Sequence, residues 1–532
     1  MIENIDFIEK SPSFIDDKTG FTLDITGMDL EADAVRALLH PQANTGLSRA
    51  HYAHQEMRRI EAGEIKNPDE NRKVTHFTDR QSYPASDEFR EVEAFAEEIK
   101  NDDSIDAVII NGIGGSALGP QLLQFAINGP GWNEMAAAQR NGYPRIYFVD
   151  NTDPAGVCDA LAVARPAQTI VVSISKSGGT RETRNNLAAL EQAYADAGVD
   201  FASHAVAVTM PGSKLDAYAT ENDWRKRFPM AESIGGRTSE TNIVGHVPAA
   251  LTGIDFAGFC DGARHMDELT RNESVSANPA YQLAIAWYVA GNGQGDRNMV
   301  VVPYSDRLVL LCKYLQQLVM ESLGKERDLD GEVVHQGLTV YGNKGGTDAH
   351  AYIQQLNDGR DDFFVTFIEP LKHEIDFRVD GKLTMGDYLH GFKEGLRAAL
   401  RAKKRKVIEI IIDELDVSTL GMLIALYERT VAFYAELIHI NAFHQPGVEA
   451  YKKASNNINQ LNLELQEWLA GESAAANGPW TAESVAAELG DGTDVQLVRG
   501  LLDKFAANER MFGDHSISRE YVGGTWQYTV SE

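Results

Sequence analysis

The nine residues Ser175 to Thr183 (SKSGGTRET) carry four hydroxyls, on Ser175, Ser177, Thr180 and Thr183, together with two glycines. They follow an apolar run and precede a helix-like stretch, where free backbone N–H groups and the positive end of the helix dipole attract an anion. A small, fully anionic group such as a sugar monophosphate needs that density of donors around three oxygens, whereas a pyrophosphate is usually held by bare glycine backbone. The alternative is a turn rich in serine and threonine that only caps a helix.

A second loop, Gly112 to Gly119 (GIGGSALG), lies between the apolar run Ala107 to Asn111 and an apolar helix start, and offers a second place for a phosphate. Gly112, Gly114 and Ala117 also satisfy a loose dinucleotide pattern. The acidic residue that pattern wants about 20 positions on is absent. Asp150 ends a strand, but 38 residues after Gly112. The nicotinamide reading loses ground, and no cofactor is expected.

Arg307 to Leu323 predicts a helix with Leu308, Leu311, Cys312, Leu315, Leu318 and Val319 on one face. Lys313, Gln317 and Glu321 fall on the other face at i, i+4 spacing, which by pattern alone is a solvated face. His350 is placed in the first turn of a helix capped by Thr347 or Asp348, where the dipole disfavours the imidazolium and suits the ring to proton transfer. A structural histidine is the default for such a position. His51 and His54 are three apart on a helix without companion ligands and read as a surface pair, so no metal is expected.

The elements that must position these residues alternate along the chain. Ala107 to Asn111, Arg145 to Asp150, Thr169 to Ile174 and Ala205 to Met210 form one set of apolar strands, and Asn298 to Pro303, Asp362 to Ile368 and Val407 to Ile412 a second. Continuous Val/Ile runs separated by helix-length segments indicate parallel strands buried on both faces, with right-handed crossovers. The fold class is α/β, with two doubly wound units in tandem. The expected division is a helical N-terminal segment over 1–92, the two units over 93–265 and 266–470, a small-residue linker from Gly471 to Pro479, and a winged-helix-like unit over 480–532.

Composition excludes several functions. The 532 residues carry 49 Lys and Arg against 78 Asp and Glu, a net charge of -29 that repels nucleic acid and anionic lipid alike. From Trp480 onward nine acidic residues face four basic ones, which argues against DNA binding by the winged-helix-like tail. The greasy run after Leu420 is broken by Glu428, Arg429 and Glu436, so nothing is expected to span a membrane. Three cysteines, Cys158, Cys260 and Cys312, are too few for a disulfide framework and fit a reducing cytoplasm. The acidic start MIENIDFIEKSPSF lacks a targeting pattern and reads as a mature end.

Taken together, VIINGIGGSALGPQLL, SKSGGTRET, GGRTSETNIVGHVPAAL, PYSDRLVLLCKYLQQLVMESLGK, GLTVYGNKGGTDAHAYIQQL and GVEAYKK resemble the phosphoglucose isomerase family, in particular its cyanobacterial and plastid type. The resemblance covers most of the chain from about Asp106 to Lys453. It implies two sugar-isomerase (SIS-like) α/β domains, a homodimer with shared active sites, and interconversion of glucose 6-phosphate and fructose 6-phosphate through an enediolate, in glycolysis and gluconeogenesis. Glu321 is then the base moving a proton between C1 and C2, and Arg237 stabilises the enediolate. His350 assists ring opening, with Lys452 on the ring-oxygen side. Gln317 holds substrate, Gln445 contacts the phosphate end, and Gly115 and Ser116 line the sugar. The hydroxyls of Ser175, Ser177, Thr180 and Thr183 bind the phosphate, and Lys176 and Glu182 belong to the substrate-binding set, Glu182 near the site.

Three positions depart from the family pattern: Gly179 stands where threonine is usual, Ala349 replaces a common glutamine, and Lys453 follows Lys452 where glutamine is frequent. The rivals are an isomerase that also accepts mannose 6-phosphate, and a sugar-phosphate-binding regulator on the same units. Retention of Glu321, His350, Arg237 and Lys452 together argues against the regulator. A metal-dependent cupin isomerase does not fit the α/β pattern.

Overall fold

Ala107–Asn111 and Thr169–Ile174 are buried at every position, as strands covered on both faces must be. In the computed structural model, which describes residues 5–41, 47–64 and 73–531 and the side chains among them except those of 449–453, they lie at the centre of a five-stranded parallel sheet. Its order is Arg145–Val149, Ala107–Asn111, Thr169–Ile174, Ala205–Thr209, Lys226–Pro229. Ile109 pairs with Val171, so the glycine loop and the hydroxyl loop leave neighbouring strands at their carboxyl ends. That is where open α/β sheets bind ligands.

A second sheet sets Lys406–Ile412, Phe363–Pro370, Asn298–Pro303 and Val340–Gly342 side by side, all parallel. The first 92 residues are not helices and connections alone. Phe14–Ile15 and Thr22–Asp24 form a hairpin whose second strand joins the edge of this sheet antiparallel, Leu23 opposite Ile410. The reason is local: Phe21, Leu23 and Ile25 alternate with Thr22 and Asp24, and all three apolar side chains are buried.

The helix Val417–Leu437 is buried from Thr419 to its end, and packs backbone to backbone on Phe256–Thr270, where a Cβ on Gly262 would meet the Ser418 carbonyl at 1.9 Å. Its Glu428 and Arg429 are ion-paired inside the protein. Arg80 bonds Asp267 at 2.7 Å and Glu428 at 2.8 Å, and Arg429 bonds Asp267 at 2.9 Å, all four side chains being essentially inaccessible. Burying charges in this way is tolerable only because each is paired. No helix among the described residues is long and apolar enough to cross a membrane.

The chain separates into two compact units, Met1–His444 and Gln445–Glu532. The second begins with the helix Pro446–Leu469 and continues through Ala482–Leu489 and Val495–Ala507 to a three-stranded antiparallel sheet of Met511–Phe512, His515–Val522 and Thr525–Ser531. Its core is Leu465, Leu469, Val485, Val498, Leu502, Phe505 and their neighbours. The stretch expected as a linker contains a short helix, Glu472–Ala476, whose Ala474 is buried in this core and accepts a hydrogen bond from Trp480 Nε1 at 2.7 Å. Small residues there allow close packing rather than free connection.

Candidate active site

The expected helix over 307–323 is built in three pieces: a 3-10 turn Asp306–Leu308, an α-helix Leu311–Leu315 and a π-helical turn Gln316–Glu321. Leu308, Leu311, Cys312, Leu315, Leu318 and Val319 are all buried, as their spacing predicts. The opposite face is not simply solvated. Lys313 is exposed, but Gln317 Nε2 donates to Glu321 Oε2 at 3.2 Å, and the Glu321 side chain keeps only 24% of its accessibility. The π turn widens the helix at the point where these two side chains meet, a distortion common at functional sites.

Arg237 approaches the carboxylate from a short 3-10 turn, Gly236–Thr238. Arg237 is 5% exposed, and its guanidinium is fixed on two sides. Nε donates to Ser322 Oγ at 2.7 Å, and Nη2 donates to the carbonyls of Ala442 and His444. Nη1 is left 3.7 Å from Glu321 Oε2. A cavity of about 30 Å³ behind the guanidinium is lined by Arg237, Ser322, His76 and Glu428. Burial pushes Glu428 well above the usual carboxylate range and raises Glu240, which is hydrogen-bonded to it and accepts from the Tyr314 hydroxyl. Burial thus disfavours a second negative charge on this neighbouring pair of acids.

The glycine loop closes over the same constellation. A Cβ on Gly115 would lie 1.8 Å from the Gly236 carbonyl oxygen, so only glycine admits this contact between backbones. Gly114 lies so near Gln317 that a Cβ would be 3.1 Å from its Nε2. Ser116 is half-buried in the same turn. The first sheet thus delivers its loop to Gln317, Glu321 and Arg237.

In the hydroxyl loop, Ser175 and Thr183 are buried, Thr180 is half-buried and Ser177 exposed. Ser175 Oγ donates to Thr180 Oγ1 at 3.4 Å, and Ser177 Oγ accepts from the Gly179 N–H at 3.1 Å. Thr180 is the N-cap of the helix Arg181–Asp196 and makes no side-chain capping bond. Lys176 donates to the carbonyls of Glu232 and Ile234, the latter at 3.0 Å, and so ties this loop to the segment bearing Arg237. Glu182 is half-buried in the first helical turn. A Cβ on Gly179 would meet only Ser177 Oγ, at 3.4 Å, leaving room for the threonine usual there.

His350 is not in the first turn of a helix. It ends a four-residue 3-10 turn, Thr347–His350, and the α-helix begins at Ile353. Asp348 does not cap that helix. It is buried, and its carboxylate accepts from the Asn343 N–H and the Tyr352 hydroxyl. A helix dipole therefore does not act on His350, which is exposed and forms no hydrogen bond with Glu321, Gln317 or Arg237. Gln445 opens the helix Pro446–Leu469, and Lys452 falls on that helix with its side chain outside the described ones. His51 and His54 are not a surface pair: His54 is buried, stacks on Phe433 and is held below the usual imidazole range by that burial. Among the described residues no group of His, Cys, Asp and Glu is arranged to hold a metal ion.

Ser322 and the buried pair Glu240 and Glu428 were not legible as neighbours of Arg237 and Glu321. Ser322 neighbours Glu321 in MES, and Glu428 is one of two acids in a greasy run, but nothing in either pattern says which side chain it meets.

One parallel sheet and one mainly parallel sheet, with glycine-rich and hydroxyl-rich loops on adjacent strands of the first and a carboxylate facing a fixed guanidinium beside them, define an α/β protein with a polar site at the carboxyl ends of its strands. The chain belongs to the phosphoglucose isomerase family, whose pattern it matches over residues 42–390 and 399–478. It is 46% identical over 527 residues to a glucose-6-phosphate isomerase of Geobacter sulfurreducens, covering 95% of this chain and 94% of that protein. A glucose-6-phosphate isomerase of a Nostoc species is 43% identical over 92% of this chain and 93% of its own length. The crystal structure of a glucose-6-phosphate isomerase from Chlamydia trachomatis superposes with a TM-score of 0.74 at 25% identity, over 86% of this chain and 91% of that one.

Proposed function

We propose that this protein interconverts glucose 6-phosphate and fructose 6-phosphate, and that Glu321 is the base. The observation that carries the reading is the fixed triad of Gln317, Glu321 and Arg237, with Glu321 Oε2 bonded by Gln317 at 3.2 Å and faced by Arg237 Nη1 at 3.7 Å. On the open-chain sugar the carboxylate takes the proton alpha to the carbonyl and returns it to the neighbouring carbon, while the guanidinium balances the oxyanion that develops between. Ser177, Thr180 and the amides at the start of Arg181–Asp196 receive the phosphate, with Ser175 and Thr183 supporting them from below. Gly115 and Ser116 line the sugar, and Lys176 acts by holding the phosphate loop to the Arg237 segment. His350 and Lys452 open the ring, and Gln445 reaches the phosphate end. The reaction needs neither redox cofactor nor metal.

The working unit is a homodimer. Leu371, Ile375, Phe377, Val379, Met385 and Phe392 stand exposed on one stretch of chain, with Ile375 at 66% and Phe377 at 61% of full accessibility. An apolar arm of that size calls for a partner surface, and in a symmetric pair a second copy supplies one. The three thiols are free, as a cytoplasmic setting would keep them.

The test is a coupled assay on fructose 6-phosphate with purified protein and a chelator. Turnover should be unaffected by the chelator. Activity that disappears on metal removal and returns with a divalent ion would overturn the reading.

A further inference from the structure

Gly324 ends the helix that carries Glu321, its N–H bonding the Met320 carbonyl at 2.9 Å, and the next residue turns back on that helix. Lys325 is 4% exposed, and its ammonium donates to the carbonyls of Glu321 at 2.9 Å and Ser322 at 2.6 Å. Carbonyls at a helix C-terminus lack intrahelical partners, and a cation there also meets the negative end of the dipole. Lysine does not usually provide this from a fully buried position. The strand opposite offers Gln336 across from Lys325, with its neighbour His335 exposed, and the charged groups acting on the ammonium are Arg237 and Glu321.

We propose that Lys325 is a positioning residue of the isomerisation, fixing the Glu321 and Ser322 backbone and placing a second buried positive charge behind Arg237 for the enediolate. The inference rests on Glu321 being the base. Two residues pass its effect on. Glu321 is held through its own carbonyl, and Ser322 through its carbonyl while its hydroxyl holds Arg237 Nε. Burial, with Arg237 adding to it, lowers the lysine to about 7, so its charge is present in part near neutral pH. A bound sugar phosphate and a developing enediolate both favour the protonated form. The charge is therefore strongest when the transition state needs it.

The experiment compares Lys325→Met, Lys325→Gln, Lys325→Arg and Glu321→Gln. It measures kcat and KM, and also the binding of two sugar-phosphate analogues: an aldonate phosphate, whose carboxylate stands in for the enediolate, and an alditol phosphate with an uncharged head. Lys325→Met should lower kcat by about 30-fold with KM changed less than about threefold, and weaken the aldonate at least about tenfold while sparing the alditol. Lys325→Arg should restore kcat to within about fivefold of wild type. If Lys325→Met does not fold, Lys325→Gln, which keeps N–H donors for the carbonyls without the charge, carries the same comparison. Wild-type kcat in both uncharged variants, equal weakening of the two analogues, or no rescue by arginine would overturn the inference. An inactive Glu321→Gln beside a fully active Lys325→Met would reject Lys325 alone, whereas an active Glu321→Gln would reject the base on which it rests.

Discussion

Arg237 Nη1 stands 3.7 Å from Glu321 Oε2, while the rest of the guanidinium is bonded to Ser322 and to the carbonyls of Ala442 and His444. The cation is held by Ser322 and two backbone carbonyls rather than by Glu321 alone, so it would keep its place if Glu321, the proposed base, takes up a proton. Charge that is fixed before the reaction costs no reorganisation during it.

Ser322 is the side chain that aims Arg237 through Nε. Ser322→Ala should lower kcat by about tenfold, because a misaimed guanidinium loses transition-state contact more than substrate grip. KM for fructose 6-phosphate should stay within about threefold. Steady-state kinetics decide it, and an unchanged kcat would mean that the backbone carbonyls alone hold Arg237.

Lys325 makes stability depend on pH. Its folded value of about 7 lies below the 10.5 of an ordinary lysine. Between those values the unfolded chain holds the proton and the folded protein does not, so unfolding takes up a proton and stability rises with pH. The slope reaches at most about 1.4 kcal/mol per pH unit. The thermal midpoint of wild type relative to Lys325→Met should therefore climb from pH 7 to pH 10. A constant difference would contradict the depressed lysine.

The two residues proposed for proton transfer and ring opening lie in unlike surroundings. Glu321 is partly buried beside Arg237, whereas His350 is exposed and bonded to none of that group. If the dimer shares its sites, His350 of one chain serves Glu321 of the other. Co-expressed Glu321→Gln and His350→Ala, each inactive alone, would then form mixed dimers with one intact site, and about a quarter of wild-type activity should return. Zero recovery with heterodimers demonstrated would reject the shared site and leave the isomerase reading standing.

The parallel strands were legible because runs such as AVIIN and TIVVSI have one explanation, burial on both faces. The apolar face of 307–323 was equally plain, since Leu308 through Val319 follow helical spacing. Its π turn was not, because a π turn and an α turn share the same apolar pattern over six residues. The helix expected around His350 shrank to a 3-10 turn because Asp348 bonds back to Asn343 and across to Tyr352 instead of capping. The hairpin at Thr22–Asp24 was visible as alternation but too short to assert itself. Glu428 and Arg429 argued rightly against a membrane span, but their place in the fold was not legible. They interrupt an apolar run, yet both are buried, because Arg80 and Asp267, far away in sequence, neutralise them.

The proposed isomerisation turns on Glu321 moving the proton. Glu321→Gln replaces the base with an amide of nearly the same shape, which leaves the phosphate grip intact. The decisive measurement is exchange of the C2 hydrogen of glucose 6-phosphate with deuterated solvent, followed alongside turnover and binding of a sugar-phosphate analogue. Exchange and turnover should fall by at least about a thousandfold while the analogue binds within about threefold of wild type. Solvent exchange at the wild-type rate in a folded Glu321→Gln protein would contradict the account.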